Sequence, residues 1–150
     1  MHGELIADLG LGPIEQVAYV VEDMERAVEH YSALFGPFEV SESKMEGCTY
    51  RGRSADVSIK MAVNHSSPVE IELLQPVEGA SPLSEHLERH GEGLHHVRFR
   101  VQGIDEKLEE LRQRGFEPLL YKRFGPGAAF AYLETPPELG GHVIELLEMP

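Results

Sequence analysis

The sequence predicts an α+β fold built from two βαβββ modules, and three observations support it. A short apolar strand pattern followed by a helical pattern occurs twice, over residues 14–36 and 94–115. Three strand-like segments follow each helical pattern. The tetrapeptide IELL closes both halves, at residues 71–74 and 144–147. Four matching residues can arise by chance, but the shared order of elements favours an internal duplication.

The first module is predicted over about residues 14–76. Asp23 can cap its helix and Gly36 can end it. The apolar positions of this helix recur at helical spacing, at Met24, Ala27, Val28, Tyr31 and Leu34. The three following strands are expected near residues 38–40, 57–63 and 69–74.

A short linker helix is predicted over about residues 81–92, because Ser81-Pro82 is a typical helix start and glycines follow it. The second module is then expected over about residues 93–148. Its helix carries apolar residues at helical spacing and ends at Gly115. Its later strands are expected near residues 117–121, 128–133 and 142–147.

Length and composition predict one domain over residues 1–150, since 41% apolar residues can form a substantial core. The formal charge of −13 repels phosphate backbones and anionic headgroups, so nucleic acid and membranes are poor partners. No apolar run is long enough to cross a bilayer. Cys48 has no partner for an intrachain disulfide, and Glu4 and Asp8 do not fit a secretory signal, so a cytoplasmic location is expected.

Side chains alternate faces along a strand, so each strand has a face under a helix and a face toward the cleft expected between the modules. In the first strand of each module, this parity places Gln16 and His96 at equivalent cleft positions. In the two closing strands it places Glu72 and Glu145 there. His95 is expected to pack under the helix, because it neighbours His96 and should face the opposite way.

These four polar residues would be costly to bury without partners. One shared divalent cation would remove that cost, because two carboxylates, one amide oxygen and one imidazole suit Zn²⁺, Ni²⁺, Co²⁺, Mn²⁺ or Fe²⁺. The alternative is that they are hydrated residues in an open cleft. Spacing alone favours neither interpretation.

Two cationic residues are candidates for substrate binding. Arg98 is assigned to the cleft face and would suit an anionic group, although a salt bridge to Glu70 or Glu72 is the alternative. Lys60 is also assigned to the cleft, with a solvated strand edge as its alternative. Residues 121–127 could cover a substrate or could simply form a turn.

At these positions the chain resembles the vicinal-oxygen-chelate superfamily, which includes glyoxalase I, methylmalonyl-CoA epimerase, extradiol dioxygenases and antibiotic-resistance proteins. The resemblance covers residues 14–148 and is strongest to the epimerase and glyoxalase I branch, through QVAYVVEDMERAVEHY, GLHHVRFRV and HVIELLE. It implies a homodimer, a small-molecule substrate and one divalent metal ion. The implied metal ligands are Gln16, Glu72, His96 and Glu145.

The sequence departs from the epimerase pattern at three positions. Gln16 stands where bacterial relatives usually have histidine, and Glu72 stands where epimerases have glutamine. The resulting Gln, Glu, His, Glu set resembles the zinc site of animal glyoxalase I, so metal binding is still implied. Ser58 stands where epimerases carry a catalytic glutamate, which puts methylmalonyl-CoA epimerisation itself in doubt. A single histidine disfavours extradiol dioxygenase chemistry, which uses two.

The resemblance implies a metal-dependent isomerase, epimerase or lyase. The metal would polarise a substrate carbonyl, and Glu145 or Glu72 would move the adjacent proton. Alternatively, both glutamates are only ligands. The other class of function is an antibiotic-type binding protein without catalysis. The four-ligand set favours the enzyme, as do the 7% aromatic content and the absence of tryptophan.

Overall fold

The computed structural model describes residues 9–150, with the first strand beginning at residue 14. The strands are β1 (Ile14–Val20), β2 (Glu39–Tyr50), β3 (Arg53–Asn64), β4 (Glu70–Glu78), β5 (Gly93–Arg100), β6 (Glu117–Gly125), β7 (Ala128–Glu134) and β8 (Val143–Glu148). The helices are α1 (Met24–Phe35), α2 (Pro82–His90) and α3 (Ile104–Gln113), and a 3₁₀ turn covers Pro137–Leu139.

The eight strands form one closed sheet in the order β1-β4-β3-β2-β6-β7-β8-β5. β1 is parallel to β4, and β5 is parallel to β8. Two antiparallel seams close the sheet, one between β1 and β5 and the other between β2 and β6. The mixed α+β class is therefore confirmed, and the expected cleft is the inside of a closed sheet. The division into two modules stays a prediction, because the sheet is continuous across both seams.

The β2–β3 hairpin is much longer than the sequence pattern indicates. The predicted strands at residues 38–40 and 57–63 are the outer ends of two strands of 12 residues each. Arg51 and Gly52 turn the chain with positive φ angles of 49° and 81°, which suits a two-residue hairpin connection. Most side chains of β2 are exposed, so little apolar alternation marks this strand in the sequence.

The helix ends follow local capping chemistry. The Asp23 side chain accepts a hydrogen bond from the backbone N–H of Arg26, and Gly36 ends α1 with φ 95°. At the start of α2, Ser81 and Ser84 exchange hydrogen bonds in a capping box. Both predicted helix starts are thus confirmed. Between residues 9 and 150, no helix combines the length and apolar character that a membrane span requires.

Two apolar clusters place α1 and α3 outside the sheet, and a third, to which Leu83 of α2 belongs, lies inside it. Met24 and Ala27 of α1 pack on the outer face against Leu73. Ile104 and Leu111 of α3 belong to a second outer cluster. The third cluster fills part of the interior, with Ala18, Val20, Val57, Ile59, Leu74, Phe130, Tyr132 and Val143 among its members. Both faces of many strands are therefore covered.

Candidate functional site

The strand register brings the four predicted ligands to neighbouring positions inside the closed sheet. Ala18 of β1 pairs with both Glu72 of β4 and His96 of β5. Gln16 pairs with Arg98, which in turn pairs with Glu145 of β8. Residues that pair directly across strands share a face. The four residues Gln16, Glu72, His96 and Glu145 are called the polar cluster below.

The Nε2 atom of His96 lies at the centre of the polar cluster. It is 2.9 Å from Oε1 of Gln16, 2.9 Å from Oε1 of Glu145 and 3.8 Å from Oε1 of Glu72. Gln16 and His96 are fully buried, while Glu72 and Glu145 are 8% and 6% exposed. The cluster is thus almost completely removed from water.

Burial makes the negative charges of the two carboxylates in the polar cluster unfavourable. Desolvation raises the pKa of Glu72 well above its ordinary value, and the neighbouring Glu145 and Glu70 raise it further, while Arg98 opposes them. Desolvation, followed by Glu145 and Glu72, also raises the pKa of Tyr132. Two buried carboxylates beside one histidine therefore favour an added proton or an added cation.

The oxygen and nitrogen atoms of the polar cluster are of the types that bind a divalent cation, but here they contact one another directly. In residues 9–150, no three or more His, Cys, Asp and Glu side chains are arranged as a metal site. The cluster includes an amide, which lies outside those residue types. Its separations from His96 Nε2, 2.9 to 3.8 Å, are similar to those between ligands about 2.0–2.2 Å from one shared ion. The residues fit such an ion, and metal binding stays a proposal.

Arg98 lies beside the cluster, and carboxylates already surround it. Its Nε donates to Glu15 Oε1 over 2.9 Å, and its Nη2 is 3.9 Å from Glu70. The sequence indicated Glu70 or Glu72 as the ion-pair alternative, whereas Glu15 makes the shortest contact. Burial lowers the pKa of Arg98, but Glu145 and Glu15 raise it overall. Arg98 therefore reduces the negative charge around the cluster.

The assignment of Lys60 to the cleft is wrong. Its Nζ lies 3.9 Å from Glu42, and the residue lines an outer depression with Met24 and Val28 of α1. Its neighbours in β3 face inward instead, with Ile59 in the interior cluster. The assignment of Lys60 to the cleft implied that the apolar face of β3, which includes Ile59, packs under the helix. Inside a closed sheet, that apolar face points to the interior.

The expected orientation of His95 is also wrong. Ala18 pairs with His96 and Tyr19 pairs with Leu94, which leaves His95 unpaired at a register shift. Such a bulge breaks the alternation and re-aims a side chain. The His95 and His96 Nδ1 atoms are consequently 2.8 Å apart. No glycine or proline next to His95 marks the bulge in the sequence.

His95 is fully buried, and aromatic rings surround it. Its ring centroid lies 5.2 Å from that of Tyr132 and 4.9 Å from that of His86. Desolvation lowers the pKa of His95 well below its ordinary value, and His96 and His86 lower it further. Among the described residues, no hydrogen-bond partner is present for its Nε2. Burial thus favours the uncharged form of His95, whose Nδ1 contacts His96 while its other nitrogen is unused.

A cavity of about 240 Å³ opens beside the polar cluster. Ser43, Glu72, Arg98 and Glu145 provide its polar lining. Its apolar lining includes Ile59, Met61, Leu74, Phe130, Tyr132 and Leu147. Sequence reasoning missed these apolar residues, because nothing in strand alternation distinguishes a cavity wall from a packed core.

The segment 121–127 contributes one side chain to this cavity. β6 continues to Gly125, and a tight turn leads directly into β7. Phe124 lines the cavity, is 56% exposed and stacks on Phe130 with 6.0 Å between ring centroids. The segment is therefore mostly strand, with an aromatic side chain at the cavity.

Comparison with known proteins includes a family match over most of the chain. Residues 15–132 match the family described as the glyoxalase/bleomycin resistance protein/dioxygenase superfamily. The uncharacterized protein YqjC of Bacillus subtilis (strain 168) is 31% identical over 94 residues, which are 60% of this chain. The match covers 65% of that relative, which is less than two thirds of its length.

Solved structures include similar folds. Hypothetical protein BH1468 from Bacillus halodurans C-125 has a TM-score of 0.63 at 21% identity, covering 92% of this chain and 94% of that one. Methylmalonyl-CoA epimerase from Mycobacterium tuberculosis has a TM-score of 0.62 at 21% identity, covering 91% of this chain and 87% of that one. A variant of the Streptomyces coelicolor methylmalonyl-CoA epimerase was solved in complex with 2-nitronate-propionyl-CoA. It has a TM-score of 0.60 at 26% identity, covering 91% of this chain and 96% of that one.

Proposed function

Because the chain belongs to the glyoxalase/bleomycin resistance protein/dioxygenase superfamily, we propose that it is an enzyme of the epimerase or glyoxalase I type. It would bind a small molecule in the interior cavity and move a proton next to a carbonyl group. One observation carries this proposal: two buried carboxylates, Glu72 and Glu145, flank His96 and line a cavity large enough for a small substrate.

In this proposal the polar cluster holds one divalent metal ion, which is Zn, Ni, Co, Mn or Fe. The bound ion would supply Lewis acidity that makes a C–H beside the substrate carbonyl easier to deprotonate. His96 contributes an imidazole nitrogen, Gln16 an amide oxygen, and Glu72 and Glu145 carboxylate oxygens.

The two glutamates are the proposed proton carriers. The raised pKa of Glu72 makes its carboxyl group readier to hold a proton than an exposed glutamate. Glu145 lies against His96, 2.9 Å from its Nε2. One glutamate would take the proton from the substrate and the other would return it. The apolar wall, including Ile59 and Phe130, limits the access of water to the reacting groups.

Substrate candidates follow from the cavity and from the neighbouring structures. The Streptomyces coelicolor epimerase variant that is 26% identical was solved in complex with 2-nitronate-propionyl-CoA, which supports acyl thioesters as one class to test. Ser58 stands where the epimerase pattern has a strand glutamate, but it shares the outward-facing parity of Lys60 and not the inward one of Ile59, so other substrates with oxygen near an acidic C–H are included. These are hemithioacetals and 2-keto acids. Arg98, which lines the cavity, is the proposed contact for an anionic group.

A small-molecule binding protein without catalysis is the second candidate function. The stacked pair of Phe124 and Phe130 beside the cavity favours it, because aromatic faces hold flat ligands. The buried carboxylates have no role in such a binder, so we rank this function second. The homodimer and the cytoplasmic location expected from the sequence stay predictions.

The proposed function is tested by hydrogen exchange at the substrate carbon. The protein, freed of metal and then reloaded with each candidate ion, is incubated in D₂O with short 2-methylacyl and 2-hydroxyacyl thioesters, hemithioacetals and 2-keto acids. We expect about one metal ion bound per chain, and deuterium beside the carbonyl of one class only when metal is present. Tight binding without exchange would favour the binding protein. Failure of all five ions to bind stoichiometrically would reject the metal site.

A further inference from the structure

We propose that His95 is a positioning residue that sets the tautomer of His96, and hence what His96 Nε2 offers to the polar cluster. The inference rests on the proposed function for the role of His96 as a ligand. The contact between the two imidazoles does not depend on that function, because the backbone bulge in β5 produces it.

The contact requires one shared hydrogen. The two Nδ1 atoms are 2.8 Å apart, and both rings are fully buried. A neutral imidazole carries one N–H and one lone pair, so one Nδ1 donates and the other accepts. When both rings are neutral, the tautomers of His95 and His96 are therefore coupled, and fixing one fixes the other.

Two arrangements of the neutral pair satisfy this coupling. In the first, His95 donates from Nδ1, so His96 carries its hydrogen on Nε2 and can donate to Gln16 and Glu145, both 2.9 Å away. In the second, His96 donates from Nδ1 and presents the Nε2 lone pair to the cluster, as a metal ligand must. Both arrangements contain the same number of protons, so the change between them needs no proton from solvent.

The surroundings of His95 leave this choice to the cluster. The His95 Nε2 has no hydrogen-bond partner among residues 9–150, so no group on its far side favours either tautomer. Tyr132 and His86 pack against the His95 ring and hold its plane. Without a metal ion, hydrogen bonds from His96 Nε2 to the polar cluster therefore favour the first arrangement. A bound cation needs the Nε2 lone pair and favours the second.

The first experiment uses the metal-free protein and does not depend on the proposed function. Histidine is labelled with ¹⁵N, metal is removed with a chelator, and the coupling between the two Nδ1 nuclei through their hydrogen bond is measured by NMR. We expect a coupling in the wild type and none in His95→Leu. A wild-type protein without this coupling would overturn the inference.

The second experiment adds Zn²⁺. We expect both histidines of the wild type to change tautomer, with His96 becoming an Nδ1–H imidazole. His95→Leu removes the acceptor and should weaken Zn²⁺ binding by roughly 10- to 100-fold, the usual effect of losing the partner of a ligating histidine. His95→Asn places an amide oxygen near the former Nδ1 and should restore most of the affinity, which a purely steric role for His95 does not explain.

His86→Leu is the matched control. It changes a buried neighbour of the His95 ring but leaves the Nδ1 contact intact, so Zn²⁺ affinity should stay within about threefold of the wild type. Equal affinities in His95→Leu, His95→Asn and the wild type would overturn the positioning role while the proposed function stands. If the wild type binds no metal, the metal site of the proposed function fails, and the metal-free coupling still decides whether the histidines share a hydrogen.

Discussion

Glu145 and Glu72 occupy equivalent positions in the closing strands, but their surroundings differ. Glu145 is 2.9 Å from His96 Nε2, whereas Glu72 is 3.8 Å away. Glu72 has a raised pKa caused first by desolvation. The two carboxyl groups are therefore not interchangeable, and separate substitutions should give different results.

Glu145→Gln should keep most of the bound metal but lose deuterium exchange at the substrate by on the order of 100-fold or more, because the amide keeps an oxygen donor and removes the base. Metal content and exchange rate are measured on the same sample. Glu42→Gln is the matched control, since Glu42 is an exposed glutamate on the outer face that contacts Lys60. If neither Glu145→Gln nor Glu72→Gln alters exchange while metal stays bound, the carboxylate-base mechanism is wrong.

Glu72 should make the stability of the metal-free protein depend on pH. Its pKa is raised in the folded state from an ordinary value of 4.5, so the folded protein binds this proton more tightly than the unfolded chain does. The free energy of unfolding should therefore fall as pH rises from 4.5 through the raised pKa. Glu72→Gln should remove this fall and be more stable at neutral pH by roughly 1–3 kcal/mol.

Urea unfolding with a chelator present, at several pH values above 4.5, measures this effect. Glu42→Gln again serves as the control and should follow the wild type, because its carboxylate is exposed. Parallel pH profiles for the wild type and Glu72→Gln would show that desolvation of Glu72 does not limit stability.

At the scale of elements, the β6–β7 hairpin extends the cavity beyond the buried part of the sheet. Phe124 is near its tip, half exposed, and stacks on Phe130, which belongs to the interior cluster. The hairpin turn contains Gly127, whose φ of 67° suits glycine. The element thus presents an aromatic side chain to the cavity without contributing a large share of the core.

Phe124→Ala should weaken ligand binding by roughly 2- to 10-fold, since about 0.5–1.5 kcal/mol is typical for an aromatic contact. The unfolding free energy should change little, because the ring is 56% exposed. Binding is measured by calorimetry with the substrate found by the exchange screen. Leu139→Ala, at a similarly exposed position outside the cavity lining, should have no effect on binding. Equal affinities for both variants would show that Phe124 does not contact the ligand.

At the scale of the whole molecule, two unequal seams close the sheet. The seam between β1 and β5 extends over six register pairs, which include Gln16 and His96 of the polar cluster. The seam between β2 and β6 has only two pairs, Thr49 with Tyr121 and Tyr50 with Leu120. The shorter seam is therefore the weaker point of the closed sheet.

The β2–β6 seam should open more often than the β1–β5 seam, because fewer strand hydrogen bonds hold it. Native-state amide hydrogen exchange should show weaker protection at Tyr50 and Leu120 than at Ala18 and His96, by roughly 10-fold or more. The comparison within one sample is its own control. Equal protection at the two seams would mean that the sheet opens only by global unfolding.

Much of the local structure follows from the sequence. The strand-helix repeat, the caps at Asp23 and Ser81, and the mixed α+β class are all properties of adjacent residues, and the structure has them. The inward positions of Gln16 and His96 also follow, because alternation assigns residues to two faces and holds in β5 from His96 onward, beyond the bulge. The sequence therefore determined which polar residues could meet.

Only the tertiary structure decided which face of each strand lies inside and where alternation fails. Lys60 lies outside because closure of the sheet makes the apolar face of β3 an interior face. His95 turns toward His96 because one unpaired residue at a bulge changes the direction of a side chain. Pairing between distant strands sets both outcomes, and the pattern within a single strand is the same whichever partner it finds.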